Sequence, residues 1–184
     1  MSGFRFMETE LKGAYLIELV HSADSRGGFC KTFEKSIFQQ AGISFKVDES
    51  FISRSEKNVI RGLHFQTNEP QAKLVSVPAG KAWDVIVDLR PKSPTFRKWT
   101  AAELSAENCL GFYIPGGFAH GFASLEDGTL MQYICDGRYD KETDTGIRFD
   151  DPQIGIEWPI ETAEAIISSR DLALPSFSFF FDGK

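Results

Sequence analysis

Residues 83–89, WDVIVDL, decide the fold. Val85, Val87 and Leu89 fall on one face of a two-residue repeat, and Asp84, Ile86 and Asp88 fall on the other. Short alternating or apolar runs recur on both sides of this stretch: AYLIELV (14–20), KLVSVPAG (73–80), GFYIPGGFAHGFASL (111–125) and LMQYICDGRY (130–139). The turn signals PAG, PKSP, PGG and EDG punctuate them at short intervals. This pattern predicts a mainly β protein, an antiparallel sandwich or barrel. Two helices are predicted, FEKSIFQQAG (33–42), ended by Gly42, and TAEAIISSRD (162–171).

The chain of 184 residues suits one domain over residues 1–184 with a sizeable core, and no linker, repeat or low-complexity tract divides it. Its 17 phenylalanines favour a thick, sheet-rich interior. A net charge of −6 argues against a nucleic-acid partner. No run is long and apolar enough for a signal peptide or a membrane span. Cys30, Cys109 and Cys135 are odd in number, widely spaced and without a CxxC, which fits reduced thiols in the cytoplasm better than a disulfide frame or zinc site.

In VIRGLHFQ (59–66), Val59, Ile60, Leu63 and Phe65 suit a half-buried strand, whereas Arg61 and His64 do not belong there cheaply. His64 is either a core histidine tied off by a hydrogen bond or a group that does chemistry. His120 follows a Pro-Gly-Gly turn before an apolar strand, and its G…PxG…H spacing is like the second motif of cupin barrels. His21, in the polar stretch VHSADSRGG, reads as a surface residue. A transition-metal site needs about three protein ligands, and the residues after His64 supply none at a useful spacing, so no metal or other cofactor is expected. A metal-free histidine base needs a carboxylate to fix its tautomer, and Asp171, beside Arg170 and just before Pro175, is a candidate. Its ordinary alternative is a turn or N-cap aspartate. Met131, Tyr133 and Cys135 share a strand face, so Tyr133 either packs in the core or presents a hydroxyl proton donor. Lys73 either snorkels from a strand end or directs a positive charge into the barrel mouth.

RGLHFQ, QAKLVSV, DVIVDLR with SPTF, IPGGFAHGF, Tyr133 with Tyr139, and SSRDLALPSF occur in this order. Together they resemble the dTDP-4-dehydrorhamnose 3,5-epimerase family of cupins from about residue 10 to residue 178. The resemblance implies a metal-free, homodimeric cupin-type jelly roll with a few short helices. The implied substrate is a nucleotide-diphosphate-linked 4-keto-6-deoxyhexose. It implies His64 as general base, Asp171 as its partner, Tyr133 as the acid on the opposite face, and Lys73, Arg61 and His120 around the sugar oxygens. Arg26, Asp144 and Arg170 would contact the nucleotide diphosphate end, and Tyr139 would stack on the base.

Three positions depart from the family pattern: Lys31 stands where an acid is usual, and Glu49 and Phe51 replace a Gln-x-Asn pair. All three belong to the nucleotide end, so a nucleotide other than thymidine, cytidine for example, becomes an alternative, as does a Lys31–Glu49 ion pair preserving the pocket's charge. The rival functions are an epimerase acting at C3 or C5 alone, a non-catalytic sugar-binding cupin and a metal-dependent cupin oxygenase. Retention of Tyr133 favours double epimerisation.

Overall fold

The computed structural model describes residues 3–181. In chain order the strands are β1 (Arg5–Glu8), β2 (Tyr15–Glu18), β3 (Val20–Asp24), β4 (Gly27–Lys31), β5 (Glu49–Ser55), β6 (Ile60–Gln66) and β7 (Ala72–Ala79). They continue as β8 (Lys81–Asp88), β9 (Trp99–Ser105), β10 (Leu110–Ile114), β11 (Phe118–Ser124), β12 (Thr129–Asp136) and β13 (Asp144–Gly146). Helices are short: α1 (Lys35–Gln40), α2 (Ser169–Leu172) and α3 (Phe177–Phe181).

Two antiparallel sheets face each other, one in the order β1-β2-β10-β7-β12-β5 and one in the order β13-β6-β11-β8-β9. This is the expected cupin-type jelly roll. The alternation read at residues 83–89 is realised in β8: Ile86 enters the interior with Val75, Phe112, Phe122 and Met131. Val85, Val87 and Leu89 face outward, where Ile147, Ile154 and Phe177 of α3 cover them. The other sheet is covered on its outer face by Phe38 of α1 with Ile43 and Phe45, which pack on Ile17, Leu74 and Ile134. Each fully buried side chain of this size contributes about 1.5–3 kcal/mol.

Asp88, at the end of β8, belongs to the structure of the corner. Its carboxylate accepts from the Arg90 guanidinium at 2.8 and 2.7 Å and from the Thr95 hydroxyl at 2.6 Å. Burial pushes its pKa up, but the hydrogen bonds from Arg90, Ser93 and Thr95 outweigh this and lower it to about 2. The SPTF segment is thereby tied to the strand it follows.

Helix α1 forms where the sequence placed one, and Gly42 closes it at φ +79. TAEAIISSRD does not form one helix. A 3-10 turn at Thr162–Glu164 is followed by extended chain and then α2. The reason is pairing: Ile166 bridges to Val59, donating to Asn58 O at 2.9 Å and accepting from Ile60 N at 3.1 Å. Strands β3 and β4 form a separate hairpin outside both sheets.

Candidate active site

Between the sheets lies a cavity of about 390 Å³. In a regular strand Arg61 and His64 would project to opposite faces, since three residues separate them. The pairing of β6 with β11 resolves this: His64 opposes His120 while Arg61 opposes Phe122, so three steps on β6 match two on β11. That bulge turns both side chains onto the cavity wall. Gly62 makes it possible. Its φ is +123, and a Cβ there would meet Gly121 Cα at 2.6 Å and His120 O at 2.9 Å.

The freed Gly62 N–H donates to Asp171 Oδ2 at 3.2 Å, and the His64 ring lies against Asp171 Oδ1 at 2.8 Å. Asp171 sits on α2, whose N-cap Ser168 accepts from the Asp171 N–H at 3.0 Å. Burial raises the Asp171 pKa, but the hydrogen bond and charge of His64, the Gly62 N–H and the Arg170 charge prevail and hold it below the usual carboxylate range. The ring nitrogen that meets Asp171 is Nε2, leaving Nδ1 without a protein partner among the described residues. A second pair stands beside the first: His120 Nε2 lies 2.8 Å from Asp84 Oδ2. Asp84 is fully buried, and its other oxygen has no hydrogen-bond partner. Burial raises its pKa, opposed by His120 and Lys73.

The opposite wall comes from the other sheet. Tyr133 projects from β12, its ring centroid 5.9 Å from that of His120. Burial, with the nearby Asp84 charge, pushes its pKa up, so the hydroxyl keeps its proton throughout the neutral range. Phe51 of β5 stacks on the same ring at 4.6 Å and 15°. Lys73 of β7 also lines the cavity; burial lowers its pKa, while Cys135, Asp144, Glu49 and Asp84 pull it back up. At the mouth, Asp144 Oδ2 accepts from Arg170 at 2.7 Å and from the Tyr139 hydroxyl at 3.2 Å. Tyr139 presents an exposed ring.

A family model for dTDP-4-dehydrorhamnose 3,5-epimerase matches residues 8–178. The chain belongs to this epimerase family. A dTDP-4-dehydrorhamnose 3,5-epimerase of Methanothermobacter thermautotrophicus is 47% identical over 172 residues, covering 93% of each chain. A Legionella pneumophila dTDP-6-deoxy-D-glucose-3,5-epimerase, solved in complex with dTDP-4-keto-L-rhamnose, superposes with TM-score 0.93 at 37% identity over 97% of this chain and 95% of its own. A 3'-monoepimerase from Streptomyces bikiniensis, in complex with dTDP-quinovose, has TM-score 0.85 at 32% identity over 91% of this chain and 85% of its own.

In this member of the epimerase family the cavity gathers Glu49, Phe51, Arg61, His64, Lys73, His120, Tyr133, Tyr139, Asp144 and Arg170, with Asp171 behind His64. Arg26 and Lys31 are not among the lining residues. Arg26 sits at the tip of the β3–β4 hairpin paired to Asp24 at 2.7 Å, its side chain 88% exposed. The Lys31–Glu49 pair is not made either: Lys31 binds Glu34 at 2.9 Å, and Glu49 accepts from Gln71 at 2.8 Å. Lys31 finds its acid only three residues along the chain, and Glu49 is met by Gln71 across the cavity wall. Sequence reasoning overlooked Asp84 as a site residue. Its signal was an acid inside an apolar run, on the inward face with Ile86. Among the described residues, no three His, Cys, Asp or Glu side chains are placed to hold a metal ion.

Proposed function

We propose that this protein is a dTDP-4-dehydrorhamnose 3,5-epimerase that works through the enolate of its 4-keto sugar. The observation that carries the reading is the His64–Asp171 pair on one wall with the Tyr133 hydroxyl on the other. Protons on C3 and C5 are acidic because each carbon neighbours the C4 carbonyl. Inversion needs removal from one face and return from the other. In this assignment Nδ1 of His64 takes the proton, while ionised Asp171 holds Nε2–H and stabilises the imidazolium. Tyr133, kept protonated by burial, returns a proton from the facing wall. General-base catalysis supplies about 10²–10⁴-fold. The C4 oxyanion therefore also needs stabilising, and this reading assigns that to Lys73, which lines the cavity, with Arg61 and Asp84-held His120 as neighbours; one such donor is worth about 2.7–4 kcal/mol. Arg170, Asp144 and Tyr139 at the mouth suit the nucleotide diphosphate.

The active form in this reading is a homodimer of one-domain cytoplasmic chains. What supports it is the hairpin standing outside both sheets, whose tip carries Arg26 outside this chain's own cavity lining. Sedimentation is expected to give a dimer, and Arg26→Ala is expected to raise KM about tenfold, the loss of one modest charged contact, with kcat nearly unchanged.

The test is incubation with dTDP-4-keto-6-deoxyglucose in D₂O, followed by NMR. Deuterium is expected at both C3 and C5; His64→Ala abolishes exchange at both, and Tyr133→Phe retains exchange while losing inversion. Absence of exchange at either carbon in the unaltered protein sinks the proposal. One observation favours inversion at a single centre: the Phe51 ring covering Tyr133, in a fold shared with a 3'-monoepimerase. Deuterium at C3 alone would identify that activity. The same assay with a CDP-linked sugar tests whether Glu49 and Phe51 have changed the base preference.

A further inference from the structure

Outside the catalytic cavity, two of the three cysteines meet. Cys30 lies on β4, at the root of the hairpin, and Cys109 lies on the turn between β9 and β10. Both line a cavity of about 240 Å³, together with Leu19, Ser76 and Gln132. Both also line the neighbouring groove, which His21 and Pro78 share. The two thiols are near enough for each to act electrostatically on the other, and the Cys109 thiol donates to Ala106 O at 3.4 Å. His21 is the cross-strand partner of Cys30, so the two side chains stand on the same face of the hairpin. Cys135 is buried in the barrel, far along a different strand, and takes no part.

We propose that Cys30 and Cys109 are a redox pair that closes to a reversible disulfide when the protein meets hydrogen peroxide. Two thiols that line the same cavity and the same groove need local side-chain movement to bring the sulfurs to the bonding distance of about 2.05 Å. Cys109 is the attacking sulfur. As a thiolate it attacks one peroxide oxygen; the O–O bond breaks, hydroxide leaves and takes up the thiol proton, and Cys109 is left as a sulfenic acid. The Cys30 sulfur then attacks the Cys109 sulfur. The S–S bond forms, the S–O bond breaks, and the departing hydroxide leaves as water with the Cys30 proton. The two sulfurs together lose two electrons, the peroxide gains two, and two waters result. Burial, with Cys109 nearby, raises the Cys30 thiol to about 11, which disfavours it as the initiating thiolate.

The bond would link the root of a hairpin that lies outside both sheets to the body of the barrel. It is expected to restrain the hairpin, and to do so whether or not the sugar chemistry proposed above is right.

The test treats the full chain, folded and first fully reduced, with a slight excess of hydrogen peroxide. The intact mass is expected to fall by two hydrogens, and a non-reducing peptide map to give one cross-linked pair holding Cys30 and Cys109 with Cys135 still alkylatable. Dithiothreitol is expected to reverse both changes. Cys30→Ser is expected to stop at a sulfenic acid trapped by dimedone on Cys109, which identifies the attacking sulfur. Hydrogen exchange at β3 and β4 is expected to slow in the oxidised protein. Independent over-oxidation of the two thiols, a Cys30–Cys30 bond between copies, or unchanged exchange in the hairpin after bond formation would overturn the proposal.

Discussion

Lys73 and Asp171 carry opposite charges whose pKa values the fold pushes in the same direction, downward. For Asp171 this keeps the carboxylate ionised at neutral pH. For Lys73 it sets an upper pH limit. An ordinary lysine titrates near 10.4, and burial brings Lys73 below that, so kcat is expected to fall as pH rises through the lowered value. Lys73→Arg, which keeps its proton to far higher pH, is expected to move that limb alkaline. Lys73→Met is expected to cost about 10²–10³-fold in kcat and to remove the limb. Stopped assays across the alkaline range measure both. His64, Lys73 and Tyr133 were legible in the sequence because each is a polar side chain in a stretch that otherwise wants apolar ones. Asp84 was equally conspicuous in WDVIVDL, but nothing local distinguishes it from Asp88, which ties down a corner instead.

At the level of the strand, the bulge in β6 decides which groups share the cavity. Gly62→Ala adds a Cβ at 2.6 Å from Gly121 Cα and asks an L-residue to hold φ +123. The backbone conformation alone costs about 1–3 kcal/mol. Such a variant is expected to lose that much stability in urea unfolding and to lose more activity than stability, because relieving the clash shifts Arg61 and His64 relative to one another. Alternation made the strands readable, and it also made this feature invisible: a period of two places residues 61 and 64 apart, and only the register against β11 shows the added residue. TAEAIISSRD was misread for a related reason. Its local preference is helical, yet Ile166 finds backbone partners in Asn58 and Ile60 more than a hundred residues earlier.

For the molecule as a whole, the polar clasp at Asp88 links pH to stability. Its folded pKa of about 2 lies below the ordinary value near 3.9. Its contribution is therefore complete above the ordinary value and disappears as pH falls through about 2. Asp88→Asn is expected to lose about 1–3 kcal/mol at neutral pH, and the gap to the unaltered protein is expected to narrow in acid. Thermal melts at several pH values measure it. The two-sheet architecture could be read from residue spacing, but the placement of Arg26 at an exposed hairpin tip, paired to Asp24 and apart from the cavity lining, could not. Nor could the reach of Asp171, which crosses 107 positions to His64. That last separation orders events during synthesis. All thirteen strands among the described residues are complete by Gly146, whereas Asp171, which meets the His64 ring, emerges from the ribosome twenty-five residues later, on α2. A clipped chain ending before Ser168 would thus leave the His64 ring without its carboxylate and the cavity mouth without Arg170.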